Sequence, residues 1–108
     1  GIISKKKKIN KNNFFINNII EKPSVNEAPS NYAVIGRYIL SKDIFKILKY
    51  QKKGKGGEIH ITDAIKNLIN KDKKFIAHVF KGKYLDCGSM SGFIKSGIEI
   101  FKSWKYVW

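Results

Sequence analysis

Two places in this 108-residue chain carry side chains suited to chemistry. The first is Glu21-Lys22, which closes the apolar run Phe14 to Ile20, and the second is Asp86, which precedes Cys87-Gly88. A carboxylate and a lysine at the end of a strand can bind sugar hydroxyls and a phosphate, and a lone carboxylate at another strand's end can supply part of the oxygen shell of a Mg2+ ion. Each has a plainer structural reading. Glu21 and Lys22 fit a solvated turn, and Asp86 fits a cap of the last helix or its loop.

Other candidates are weaker. Gly54-Lys55-Gly56-Gly57 could let backbone amides approach an anion, but no Gly-Lys-Ser/Thr opens a helix after a strand, so the spacing is not that of a Walker loop. His60 and His78 have no second His, Cys or acidic residue at ligand spacing and read as surface or loop histidines. Cys87 stands alone, which excludes an intrachain disulfide and a thiolate zinc site and fits a small buried hydrophobe in a reducing compartment.

Lys plus Arg outnumber Asp plus Glu 22 to 8, a formal charge of +14. All but one of these bases are lysines, scattered through every segment apart from Lys5 to Lys8, and the one arginine, Arg37, stands inside an apolar run. Nucleic-acid readers rely on arginine for bidentate contacts, so the charge reads as a tolerant Lys/Asn/Ile-rich surface rather than a polyanion site. No apolar window approaches the roughly 18 residues of a membrane helix, and the Lys-rich start lacks the features of a signal peptide. The expectation is a cytoplasmic protein with neither a nucleic-acid nor a membrane partner.

Periodicity supplies the helices and strands around these residues. Gly1 to Ile3 reads as the end of a strand, Ser4 to Asn13 as a solvated hairpin loop and Phe14 to Ile20 as a second strand. Asn31 to Leu40 (NYAVIGRYIL) reads as a strand covered on both faces, with a bulge or close approach at Gly36. Ser41 is placed to cap a helix over Lys42 to Tyr50 with Ile44, Phe45, Ile47 and Leu48 inward. Glu58 to Ile61 alternates like a short strand, and Thr62 or Asp63 is placed to cap a helix from Ala64 to Asn70 with Ile65, Leu68 and Ile69 inward. A strand over Phe75 to Phe80 and a helix over Met90 to Lys105, with Ile94, Ile98, Phe101 and Trp104 on one face, complete the chain. The aromatic tail, Trp104, Tyr106 and Trp108, suits packing against the body or a partner subunit. Strands interleaved with helices, beginning with a hairpin, give one α/β domain with a mixed sheet.

Ile20-Glu21-Lys22-Pro23, Ala28-Pro29-Ser30-Asn31, Ala33 to Tyr38, Gly57 to Ile65, and Gly82-Lys83 with Asp86-Cys87-Gly88 occur in one order at consistent spacing. From Gly1 to about Phe101 the chain resembles the C-terminal part of bacterial UTP-glucose-1-phosphate uridylyltransferases. The resemblance implies the C-terminal portion of a Rossmann-like nucleotide-diphospho-sugar transferase fold with a mixed central sheet. Residues 1–108 would be the sugar-phosphate and second metal-ligand part of a single domain, with the N-terminal nucleotide-binding part absent. It implies UTP and glucose 1-phosphate as substrates, UDP-glucose and pyrophosphate as products, Mg2+ as cofactor and a homo-oligomer in the intact protein.

By the same resemblance Gly1 contacts the sugar through its backbone, Glu21 accepts from glucose hydroxyls, Lys22 grips the sugar phosphate and Asp86 is the second Mg2+ carboxylate, with Lys22 and Asp86 counted as catalytic. His60 stands where that block often has glutamine. The chain alone is expected to be inactive, and its bare apolar surface to associate. A related transferase using another nucleotide or sugar, or a small basic nucleic-acid-binding module, are the competing readings.

Overall fold

The computed structural model describes residues 1–104. Strands β1 (Ile2–Lys8) and β2 (Asn13–Ile20) form a hairpin, followed by α1 (Asp43–Tyr50), a single 3-10 turn (Lys55–Gly57), α2 (Ile61–Asn70), β3 (Phe75–His78) and α3 (Met90–Ser103). The sheet order is β1-β2-β3, and both pairings are antiparallel. Among the described residues no parallel pair occurs, so the mixed character expected of the sheet is not seen in this stretch. No described helix is long and apolar enough to cross a membrane.

The hairpin turn is tighter than expected, because the Asn10 side-chain oxygen accepts from the backbone N–H groups of Asn12 (3.1 Å) and Asn13 (2.9 Å). Lys5 to Lys8 therefore belong to β1 rather than to a loop. Lys5 covers apolar surface, its ammonium 3.6 Å from the Tyr32 ring centroid and 4.8 Å from that of Phe14.

The register of the hairpin is irregular. Ser4 pairs with Asn18 while Lys5 pairs with Ile16, which leaves Asn17 as an extra residue in β2. Such a bulge shifts the period-two alternation by one position. Phe14 and Ile16 face the core before it, and Ile19 does so after it. By the same alternation Glu21, two residues beyond Ile19, is carried to the inner side.

The core is Ile3, Phe14 and Ile19 of the sheet with Ile44 of α1 and Ala64, Ile65 and Leu68 of α2. α2 lies on β2 and α1 on α2. Burying a side chain such as Ile65 in a centre of this kind contributes about 1.5–3 kcal/mol.

Several expectations are corrected. Asn31 to Leu40 is not a strand: among the described residues its backbone is paired with the hairpin only at the Ile2–Ala33 bridge, with Ile3 N–H donating to the Tyr32 carbonyl (3.1 Å) and Val34 N–H to the Gly1 carbonyl (2.8 Å). Beyond Val34 no described strand offers its backbone a ladder, and the chain turns at Gly36, whose φ is +82°. A cavity of about 380 Å3 separates this segment from β3, lined by Phe14, Tyr32, Val34, Tyr38, Leu40 and Phe75 among others.

Glu58 to Ile61 forms no strand, and α2 begins at Ile61, so Thr62 and Asp63 lie inside its first turn. α1 has no side-chain cap, since Ser41 contributes its backbone carbonyl to Ile44 N–H instead, and Phe45 is exposed. β3 ends at His78, and α3 is capped by Ser89, whose hydroxyl accepts from Gly92 N–H. Ile94, Ile98, Phe101 and Trp104, expected inward, are exposed, because among the described residues the body does not lie against that face. Cys87 is exposed, not buried. Lys105, Tyr106 and Trp108 lie outside the described residues.

Candidate functional site

The end of β2 gathers residues from three parts of the chain. Glu21 Oε2 accepts from the Thr62 hydroxyl at 2.7 Å, across 41 residues of sequence, and lies 3.4 Å from the Gly1 amine. The Glu21 side chain is only 15% exposed and Thr62 only 3%. Water therefore has little access to their contact. The Thr62 hydrogen bond holds the Glu21 carboxyl below its ordinary range; desolvation opposes this, and nearby His60 adds to the lowering. Across the site, partial burial and then the Glu21 charge push the Tyr38 phenol up.

Gly1 is held from the other end of Thr62. A Cβ at position 1 would fall 2.8 Å from Thr62 Cγ2 and 3.2 Å from Ile19 Cδ1, so a side chain there would displace buried groups. Lys22 is exposed and occupies the left-handed region at φ +42°, a conformation that costs a non-glycine residue about 1–2 kcal/mol. Its carbonyl accepts from the Lys55 ammonium, while its own ammonium is in no ion pair among the described residues.

The loop behind Lys55 is pinned to α2: His60 Nε2 lies 2.7 Å from the Lys55 carbonyl, and Gln51 Nε2 donates to the His60 carbonyl at 2.8 Å. His60 is therefore a largely covered structural residue, its side chain 12% exposed, rather than the surface histidine expected. His78 is exposed, as expected, with Nδ1 2.7 Å from Asn13 Oδ1. The glycines at 54–57 serve the one-turn 3-10 segment.

Asp86 is elsewhere. Its Oδ1 accepts from Gly88 N–H at 2.9 Å, the turn anticipated as its plainer reading, and the side chain is exposed. Its backbone carbonyl rests on α3 so closely that a Cβ on Gly92 would collide with it. An ion pair between Lys83 and Glu99 also ties this segment to α3. Among the described residues no hydrogen bond or ion pair joins Asp86 to the Glu21 cluster, and no three His, Cys, Asp or Glu side chains gather as a metal site. A Mg2+ ion is commonly bound through one or two carboxylates plus waters and substrate phosphates. An exposed carboxylate with only Oδ1 engaged fits that requirement as one ligand of a shared shell.

The structure thus brings Gly1, Glu21 and Lys22 together, and among the described residues no hydrogen bond or ion pair joins Asp86 to them. Sequence reasoning missed Thr62, taken for a helix cap, and Tyr38, and it set Lys55 aside with its glycine loop. No local pattern marks a hydroxyl whose partner is 41 residues away.

The pattern of the family described as nucleotidyl transferase matches residues 1–102. The chain belongs to the nucleotidyl transferase family. Within it, the chain is 51% identical over 83 residues to the UTP-glucose-1-phosphate uridylyltransferase of Pseudomonas aeruginosa, covering 77% of this chain and 29% of that protein. It is 42% identical over 99 residues to UTP-glucose-1-phosphate uridylyltransferase 2 of Streptococcus pyogenes, covering 92% of this chain and 33% of that one. A crystal structure of UDP-glucose pyrophosphorylase complexed with UDP-glucose superimposes with a TM-score of 0.86 at 45% identity, over 95% of this chain and 38% of the other. The α/β arrangement is thus that of the nucleotidyltransferase fold, and the chain spans about a third of the length of the curated relatives it matches.

Proposed function

We propose that this chain is the C-terminal, sugar-phosphate-binding part of a cytoplasmic UTP-glucose-1-phosphate uridylyltransferase that works as a homo-oligomer. The observation that carries the reading is the Glu21-Lys22 pair at the end of β2, a fixed carboxylate beside an ammonium free of ion pairs among the described residues, in a chain whose relatives bear that name. Glu21 offers acceptor oxygens to glucose hydroxyls, and Gly1, seated against Thr62 and Ile19, offers its backbone to the sugar. Lys22 neutralises the sugar phosphate as a compact point charge.

In the reaction a phosphate oxygen of glucose 1-phosphate attacks the α-phosphorus of UTP. The bond from that phosphorus to the oxygen bridging to the β-phosphorus breaks, and pyrophosphate leaves with the electron pair. The residues of this chain hold and orient the nucleophile. Asp86 is the residue that would hold Mg2+, which when bound supplies charge neutralisation at the phosphates.

The test is Mg2+-dependent pyrophosphate release from UTP and glucose 1-phosphate by the chain extended upstream, beside Lys22→Ala and Asp86→Ala. Turnover that either substitution abolishes is expected, with none from residues 1–108 alone. A folded but silent extended protein, or one that prefers another nucleotide or sugar phosphate, would overturn the assignment.

A further inference from the structure

We infer that Thr62 is a positioning residue for the sugar-binding carboxylate, its hydroxyl fixing one oxygen of Glu21 so that the other is presented to the substrate, while its methyl seats Gly1. The inference rests on the reading of Glu21 as the group that meets the sugar. Its geometric basis is independent of that reading. Thr62 is 3% exposed, its Oγ1 donates to Glu21 Oε2 at 2.7 Å, and its Cγ2 stands 2.8 Å from where a Cβ on residue 1 would be.

The sequence makes threonine at this point in α2 look like a helix cap, yet the structure gives the hydroxyl a different duty. Thr62 is already inside the helix, and His60 occupies the capping position without a side-chain capping bond. A buried hydroxyl must place its proton somewhere. Here it is spent on a carboxylate that is itself mostly covered and sits just beyond the last residue of a strand, where backbone pairing no longer restrains it. Without that bond Glu21 would keep only the Gly1 backbone nitrogen at 3.4 Å among the described residues, a longer contact that fixes no orientation. A carboxylate held by one oxygen offers its second at a defined place, and such positioning commonly rests on supporting hydrogen bonds behind the contact residue.

Thr62→Val keeps the shape and removes the donor, and Thr62→Ser keeps the donor and removes the methyl. Two readouts separate the inference from the function on which it rests. By carbon-detected NMR on the extended protein, Glu21 titrates below the ordinary Glu range in the unsubstituted protein and in Thr62→Ser, and moves up in Thr62→Val. In the extended protein, Thr62→Val raises KM for glucose 1-phosphate roughly tenfold, the scale of one hydrogen bond to a charged group, while KM for UTP stays unchanged; Thr62→Ser returns most of the loss.

An unmoved Glu21 titration in Thr62→Val overturns the contact. A moved titration with unchanged KM for glucose 1-phosphate overturns the positioning role. Absence of turnover in the unsubstituted extended protein overturns the uridylyltransferase reading and the sugar-facing half of the inference with it, while the titration still decides whether Thr62 holds Glu21. Should Thr62→Val not fold, Thr62→Ala removes the same donor without setting a methyl against the carboxylate and is read in the same way.

Discussion

Glu21 and Asp86 are both carboxylates in loops that follow apolar segments, yet the fold treats them oppositely. Glu21 is mostly covered, hydrogen-bonded to a buried threonine on α2, and directed inward by a bulge earlier in its own strand. Asp86 is exposed, bonded among the described residues only to a backbone amide two residues on, and supported by α3, whose apolar face has no cover among those residues. The difference matches what each group is proposed to meet. Sugar hydroxyls demand directional acceptors, so orientation must be built in before the ligand arrives. A Mg2+ ligand needs a hard oxygen that can share its shell with waters and phosphates, and an accessible, lightly restrained carboxylate serves that role.

The largest effects come from deleting each carboxylate. Glu21→Ala and Asp86→Ala should each lower turnover of the extended protein by about thirtyfold or more, the consequence of losing a charge partner commonly worth about 2–5 kcal/mol. Stability sharpens the contrast. Glu21→Ala also leaves the buried Thr62 hydroxyl unpaired and should destabilise the fold by about 1–3 kcal/mol in denaturant titration, whereas Asp86→Ala should leave the midpoint nearly unchanged. Equal destabilisation by both would break the comparison.

Gly92→Ala comes next. Its Cβ would collide with the Asp86 carbonyl, so the loop must shift away from α3 at a cost of about 1–3 kcal/mol. Turnover should fall with it, while the Glu21 titration followed by NMR should not move.

The pH dependence is smaller and has a defined sign. Because the Glu21 carboxyl is held below its ordinary range, chiefly by Thr62, its contribution to stability is present above the unfolded-state value of about 4.3 and is lost as pH falls through the lower folded-state value. Thermal unfolding followed from about pH 6 to about pH 3 should show a shallower acid-side loss in Thr62→Val than in the unsubstituted chain. Phe101→Ala should have the smallest effect, within about 0.5 kcal/mol in the same unfolding measurement, because that ring is exposed on α3.

Much of this was readable from the chain. The periodicity of Ile65, Leu68 and Ile69 announced α2, the Phe14 to Ile20 run announced β2, and five ordered blocks pointed to the uridylyltransferases and to Glu21 and Lys22. The errors share a cause. Asn31 to Leu40 has the composition of a buried strand, but a strand exists only where a neighbouring backbone accepts its hydrogen bonds, and beyond the bridge at Ala33 none of the described strands does. α3 has an apolar stripe, but a stripe is buried only if something lies against it. Ser4 to Asn13 looked like a loop because lysine and asparagine are poor strand formers, yet the Asn10 turn and the aromatic rings beneath Lys5 draw Lys5 to Lys8 into β1.

By itself the sequence determined what depends on near neighbours: helical and strand periods, the turn at Asn10, the cap at Ser89, and the order of motifs that assigns the family. Only the tertiary structure decided that Asn17 is extra in its strand, that Glu21 consequently faces inward, and that a threonine 41 residues away holds it. The physical reason is range. Backbone propensities and side-chain periods act over a few residues, whereas the geometry of a held carboxylate is fixed by a hydrogen bond between elements that meet only when the core closes.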